Sequence, residues 1–227
     1  MISIYCFSGS GHSMAVAKVL AGMLECKIRL IENKFEATSE ETAVVVFPVY
    51  CQNIPTPVIR FLKQLEVRYI VLIATYGKIS YGNVLHEAQK LLSGQVIAGA
   101  YIPIGHTFSD GDNVFDTNQL LPIVQRIKHP RKTHIPKTRK NPLSNLFPGF
   151  RSRISVKITK SDLCNSCGIC ERHCPVGAIR NGRIHNECIR CLRCVTNCPQ
   201  KALRYRKGLV LSHYLKKFNN EEYVLYL

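Results

Sequence analysis

An α/β protein is predicted, with an open parallel sheet wound on both faces and a small cysteine-rich module behind it. Three observations carry the expectation. Short apolar runs alternate with helical patterns through residues 1–128. Eight of the eleven cysteines crowd between Cys164 and Cys198. Between these regions lies a stretch, 129–160, with nine Lys/Arg and no acid. The chain has 227 residues, 46% hydrophobic and 20% charged, which gives room for two modest domains and excludes wholesale disorder. No run approaches the ~18 apolar residues of a membrane helix. The start, Met1-Ile2-Ser3-Ile4-Tyr5-Cys6-Phe7, lacks the basic region and cleavage site of a signal peptide. A cytoplasmic chain is therefore expected, and there eleven cysteines argue for metal or redox chemistry over a disulfide scaffold.

Ile2–Phe7, Ala43–Phe47, Tyr69–Ala74 and Val96–Ile102 are rich in Val, Ile and aromatics, as strands buried on both faces are. Ile28–Ile31 is a shorter candidate for an edge. Ser13–Leu24 sets Val16, Val19, Leu20 and Met23 on one helical face. Thr56-Pro57 is an N-cap followed by proline at the first helical position. Tyr81–Leu92 groups Val84, Leu85, Ala88, Leu91 and Leu92, with Gly94 as a stop signal. Asn118–Lys128 is a weaker helix, because Pro122 sits near its start. Five strands with interleaved helices imply a doubly wound parallel sheet whose ligands sit at the carboxyl ends of the strands. Pro130, Pro136, Pro142 and Pro148 make an extended linker of 129–154. Residues 155–207 form the module. Residues 208–227 form a tail that packs back on the module or pairs with another chain.

The loop after the first strand reads Phe7-Ser8-Gly9-Ser10-Gly11-His12-Ser13. Small residues let the backbone curl around an anion, hydroxyls donate, and a helix N-terminus adds N–H groups and a positive dipole. A plain glycine-rich turn with capping serines is the alternative. The pattern Ser-x-Ser-Gly-x-Ser resembles the phosphate loop of flavodoxins. Phe47-Pro48-Val49-Tyr50-Cys51-Gln52-Asn53-Ile54-Pro55 and Thr75-Tyr76-Gly77-Lys78-Ile79-Ser80-Tyr81-Gly82 agree with that family's two flavin-ring loops. The resemblance covers roughly 1–128 and implies a flavodoxin-like domain binding FMN. Ser8, Gly9, Ser10, Gly11, His12 and Ser13 would hold the phosphate. Pro48, Tyr50, Thr75, Tyr76, Gly77 and Tyr81 would line the ring, with tyrosines in place of the absent tryptophan. Cys51 reads as a small packed residue, and Cys6 and Cys26 as structural.

Cys164-x-x-Cys167-x-x-Cys170-x-x-x-Cys174-Pro175 recurs 24 residues on as Cys188-x-x-Cys191-x-x-Cys194-x-x-x-Cys198-Pro199. Three thiolates two residues apart curl one loop around three corners of an iron–sulfur cube. Structural zinc pairs two separated Cys-x-x-Cys hooks per ion, which this double run suits poorly. Residues 155–207 resemble bacterial two-cluster ferredoxins. That resemblance implies one [4Fe–4S] cluster on Cys164, Cys167, Cys170 and Cys198. It implies a second on Cys188, Cys191, Cys194 and Cys174. His173 reads as a surface neighbour of a ligand.

The whole chain resembles flavodoxin–ferredoxin fusion proteins. That implies electron transfer between FMN and two [4Fe–4S] clusters, and on to partner proteins. Neither a Ser–His–Asp arrangement nor a fingerprint for NAD(P)H is visible, so no catalytic residue is assigned. A flavin-dependent reductase of a small molecule is the second reading. Two clusters and FMN would lower the formal +16 to about +10, which favours acidic redox partners. Nucleic-acid binding by Arg131–Lys140 is a third reading, without the aromatic interleaving that would support it.

Overall fold

The computed structural model describes residues 1–32, 40–108, 114–145, 148–217 and 219–227. The first part runs β1 (Ile2–Cys6), α1 (His12–Leu24), β2 (Ile28–Leu30), β3 (Thr42–Pro48), α2 (Thr56–Gln64), β4 (Tyr69–Tyr76), α3 (Val84–Gln89), β5 (Gln95–Pro103) and α4 (Leu121–Lys128). These five strands are parallel, in the order β5-β4-β3-β1-β2. Alternate residues of each strand feed two separate cores. Tyr5, Phe7, Val45, Phe47 and Leu72 pack with α2 and α3 on one face. Ile4, Cys6, Val44, Val46, Val71 and Ile73 pack with α1 and α4 on the other. Burial on both faces is why these runs are continuously apolar instead of alternating.

Two helices differ from the sequence expectation. The pattern over Tyr81–Leu92 yields only Val84–Gln89, because Gly82 takes a left-handed φ of +61° and holds the chain out of the helix until Asn83. Leu91 and Leu92 still pack on the core. The pattern over Asn118–Lys128 splits in two. A 3-10 turn at Thr117–Leu120 starts where the Asp116 carboxylate accepts the Asn118 N–H at 2.9 Å, and α4 begins anew so that Pro122 falls in its first turn. Proline lacks the N–H that a helix interior requires, but the first turn does not use it.

The linker is extended over 129–141 but anchored. Ile135 is fully buried against Gly99, where a Cβ would lie 2.6 Å from the Ile135 Cδ1. Gln89 accepts the Ile135 N–H at 3.1 Å and donates to its carbonyl at 2.6 Å. The Thr138 hydroxyl donates to the Gly82 carbonyl at 2.5 Å. After a 3-10 turn at Pro142–Asn145, α5 (Pro148–Ser155) replaces the expected extended chain. Pro148 begins that helix, where its missing N–H costs nothing. Residues 146 and 147 of the expected linker, and 218 of the tail, lie outside the described residues.

The module comprises β6 (Val156–Lys160), α6 (Ile169–Arg172), β7 (Ile179–Arg180), β8 (Arg183–Ile184), α7 (Arg193–Thr196) and β9 (Leu203–Lys207). Strand β6 pairs antiparallel with β9, and β7 with β8. The tail forms α8 (Leu209–Lys217), which packs on α5, and then β10 (Val224–Tyr226). Its last strand packs on the first domain and not on the module. β10 joins β5 antiparallel as a sixth strand, covering an edge that would otherwise expose unpaired backbone groups. The expected five-stranded sheet thus has six strands, one of them antiparallel. Among the described residues no helix is long and apolar enough to cross a membrane.

Candidate functional site

The two cysteine loops share one backbone geometry. Left-handed φ angles at Ser166, Gly168 and Gly177 recur 24 residues on at Arg190, Leu192 and Lys201. The Ala178 N–H donates to the Cys174 sulfur at 3.2 Å, and the Ala202 N–H to the Cys198 sulfur at 3.3 Å. Non-glycine residues in left-handed conformations are uncommon, so the repetition marks one loop design used twice. N–H groups aimed at sulfur stabilise thiolate charge.

A cavity of about 260 Å³ is lined by Cys164, Cys167, Cys170 and, from the second repeat, Cys198. Cys174 is not among its lining residues. Burial pushes the Cys191 thiol up to about 11 and the Cys194 thiol to about 12, and both also feel the neighbouring Cys188 and Cys174. Cys198 of the second repeat thus stands at the cavity of the first loop, and Cys174 of the first repeat lies near enough to act on the thiols of the second. Among the described residues no three His, Cys, Asp or Glu side chains converge on a single metal ion. His173 is exposed.

The glycine–serine loop lies at the carboxyl end of β1. The strand order has its switch point between β1 and β3, where open α/β sheets bind their ligands. Gly11 caps α1 with φ +99°, and nothing stands within 4 Å of where its Cβ would be. Helix α1 has neither a side-chain cap nor an acid in its first turn, so its positive end is open to an anion. The Ser13 hydroxyl pairs with that of Thr75 at 2.8 Å, both buried. The Ser10 hydroxyl lies 2.6 Å from the His12 Nδ1 and 3.1 Å from the Thr107 hydroxyl. Gly77 is required, since a Cβ there would strike the His106 ring. Burial, with His12 and Lys207 adding, depresses His106 to about 4. Its Nδ1 accepts the Phe108 N–H at 3.1 Å, which a neutral ring allows. These residues fit a phosphate group.

The tyrosines expected at the ring are held differently from one another. Tyr50 turns its ring edge to Phe7 at 6.3 Å, and Pro48 closes β3 beside it. Tyr76 is 2% exposed and gives its hydroxyl to the Glu222 carbonyl at 2.6 Å. Tyr81 stacks on Tyr101 at 4.1 Å and donates to Glu222. Tyr76 and Tyr81 thus both bond the tail, because the added strand β10 brings Glu222 to them. Cys51 is exposed in a left-handed turn at φ +50°, not packed as expected. Lys140, counted with the basic face, is 13% exposed and pairs with Glu87 at 2.9 Å and with Asn53 at 2.8 Å.

The module sits on this loop. A Cβ on Gly9 would fall on the Cys191 carbonyl oxygen, and the Arg193 Nε donates to the Ser8 carbonyl at 3.1 Å. Ile189 packs on the first domain's core, and Phe108 meets Tyr205 at 5.8 Å. Sequence reasoning missed Arg193, His106 and Thr107. Laying one cysteine repeat over the other would have flagged Arg193, whose counterpart is Ile169. The end of β5 was a place to look for the other two.

Residues 158–180 match the 4Fe-4S binding domain family, Fer4. The chain thus carries a ferredoxin-type domain in its C-terminal part, which implies iron–sulfur electron transfer and at least one [4Fe–4S] cluster. No curated protein matches the sequence. Among solved structures, a candidate flavoprotein from Bacteroides uniformis is 14% identical, with a TM-score of 0.39, covering 47% of this chain and 92% of its own. A candidate flavoprotein from Bacteroides eggerthii is 16% identical, with a TM-score of 0.40, covering 56% of this chain and 97% of its own.

Proposed function

We propose that this chain holds FMN in its first domain and two [4Fe–4S] clusters in its module, and passes electrons between them and on to acidic redox proteins. The observation that carries this reading is the contact between the glycine–serine loop and the second cysteine loop, through Gly9 with Cys191 and Ser8 with Arg193. FMN exchanges electrons singly or in pairs and each cluster singly, so a flavin beside a cluster joins the two kinds of traffic.

Each group of residues has a part. Ser8–Ser13 and the N-terminus of α1 bind the phosphate, with Thr75 and Thr107 orienting the serine hydroxyls. Tyr50 borders the ring on the side of Phe7. Cys164, Cys167, Cys170 and Cys198 hold one cluster, and Cys188, Cys191, Cys194 and Cys174 the other. Arg131, Lys132, Lys137 and Arg139 remain exposed on the linker and attract acidic partners. Lys140 does not belong with them, since it is spent on Glu87.

Anaerobic purification followed by metal, sulfide and flavin analysis tests the reading. About eight irons, about eight sulfides and one FMN per chain are expected. Zinc without sulfide, or protein that never retains flavin from an excess, contradicts it.

A further inference from the structure

Beyond its contact with Ser8, the guanidinium of Arg193 has no use in the function described so far. It is 4% exposed, although arginine is almost never fully buried without pairing. Its Nε donates to the Ser8 carbonyl at 3.1 Å, and its guanidinium lies 5.3 Å from the centre of the Phe7 ring. Its two terminal nitrogens are buried with no hydrogen-bond partner among the described residues. The nearest carboxylate oxygen, on Glu32, stands 3.6 Å from Nη1, and that side chain is half exposed. A guanidinium cannot discharge itself by losing its proton. Its position calls for further negative charge nearby.

The sequence neighbours of Arg193 identify that charge. Cys191 and Cys194 flank it, and an oxidised cluster with four thiolates carries about −2, reduced about −3. The corresponding place in the first loop is Ile169, which has no charge. Arg190 adds a second cation on the same loop, but it is partly exposed, its Nε donates to the Val156 carbonyl at 3.0 Å, and only one of its terminal nitrogens, Nη1, is buried without a hydrogen-bond partner. We infer that Arg193 is a positioning residue that raises the reduction potential of the second cluster above that of the first and so draws the electron toward the flavin side. The inference rests on the two-cluster reading. Reduction adds one electron and one negative charge to the cluster, and a fixed buried cation favours the more negative state.

The test uses full-length anaerobic protein, with iron and sulfide counted on each sample. It is titrated with dithionite as electron donor and read by low-temperature EPR. Wild type is expected to show two midpoint potentials whose separation survives added salt, because a buried charge is weakly screened. Arg193→Gln should lower the higher potential by about 59 mV, a tenfold change in a one-electron equilibrium, and leave the lower one in place. Arg193→Lys should keep most of the separation, and Arg190→Gln should shift the potential less than Arg193→Gln does. Unmoved potentials in Arg193→Gln protein that retains about eight irons overturn the inference alone. If Arg193→Gln fails to hold its clusters, coincident potentials in the wild type overturn it instead. Wild type with about four irons overturns the two-cluster reading and the inference with it.

Discussion

The two cysteine loops differ in their surroundings and hardly at all in their backbones. Cys167, in the first, is exposed, and its loop borders a cavity of about 260 Å³. Its counterpart Cys191 is 8% exposed and lies under Gly9 of the first domain. Leu192 takes a left-handed φ of +62° where the first loop has Gly168, although leucine is ill suited to it. Leu192 is 3% exposed, so packing offsets the strain. The same loop design is used twice, and different residues at equivalent positions make one copy an interface with the first domain and leave the other exposed.

Cutting the shared ligands one at a time should break this symmetry most severely. Cys198→Ala should lose the cluster of the Cys164–Cys170 loop, and Cys174→Ala that of the Cys188–Cys194 loop. Each should halve the iron and sulfide, and EPR of the reduced protein should show which signal has gone. Loss confined to the loop nearest in sequence would mean that ligation does not cross.

A smaller effect falls on the flavin alone. Ser10→Glu sets a carboxylate against the phosphate and should weaken FMN binding roughly hundredfold or more, since like charges ~4 Å apart near a surface cost a few kcal/mol. Flavin fluorescence titration reads it, and iron content should not change. Gly9→Ala sharpens the comparison between loops, because only the second is in contact there. The added methyl collides with Cys191 and should cost about 1–3 kcal/mol in thermal unfolding. Lys140→Ala should cost about 1 kcal/mol in the same measurement by removing a partly buried ion pair. The smallest effect belongs to the open side. Neutralising Arg131, Lys132, Lys137 and Arg139 together should flatten the salt dependence of electron exchange with an acidic ferredoxin, because exposed charges are screened over ~10 Å.

The five parallel strands were legible because double burial makes their runs uniformly apolar, as in Val44–Phe47 and Ile70–Ala74. The cysteine spacing was legible because ligand geometry leaves little freedom. The sixth strand was not. Val224–Tyr226 is three residues long, and its partner Gly99–Tyr101 lies more than a hundred residues away. Nor was the anchoring of the linker, where Ile135 fills the space left by Gly99, a fit no local pattern records. The bonds of Tyr76 and Tyr81 to Glu222 were not legible either, because the tail that engages them is distant in sequence. Arg193 was hidden among the cysteines of the repeat.

The central claim is that the second cysteine loop, and not the first, is seated on the flavin site. Deuterium exchange of the anaerobic protein, with FMN bound and after its removal, tests this directly. Removing FMN should raise exchange together in residues 8–13 and 188–194 and leave residues 164–170 unchanged. Equal responses in the two cysteine loops, or a response in 8–13 with none in 188–194, would contradict the account.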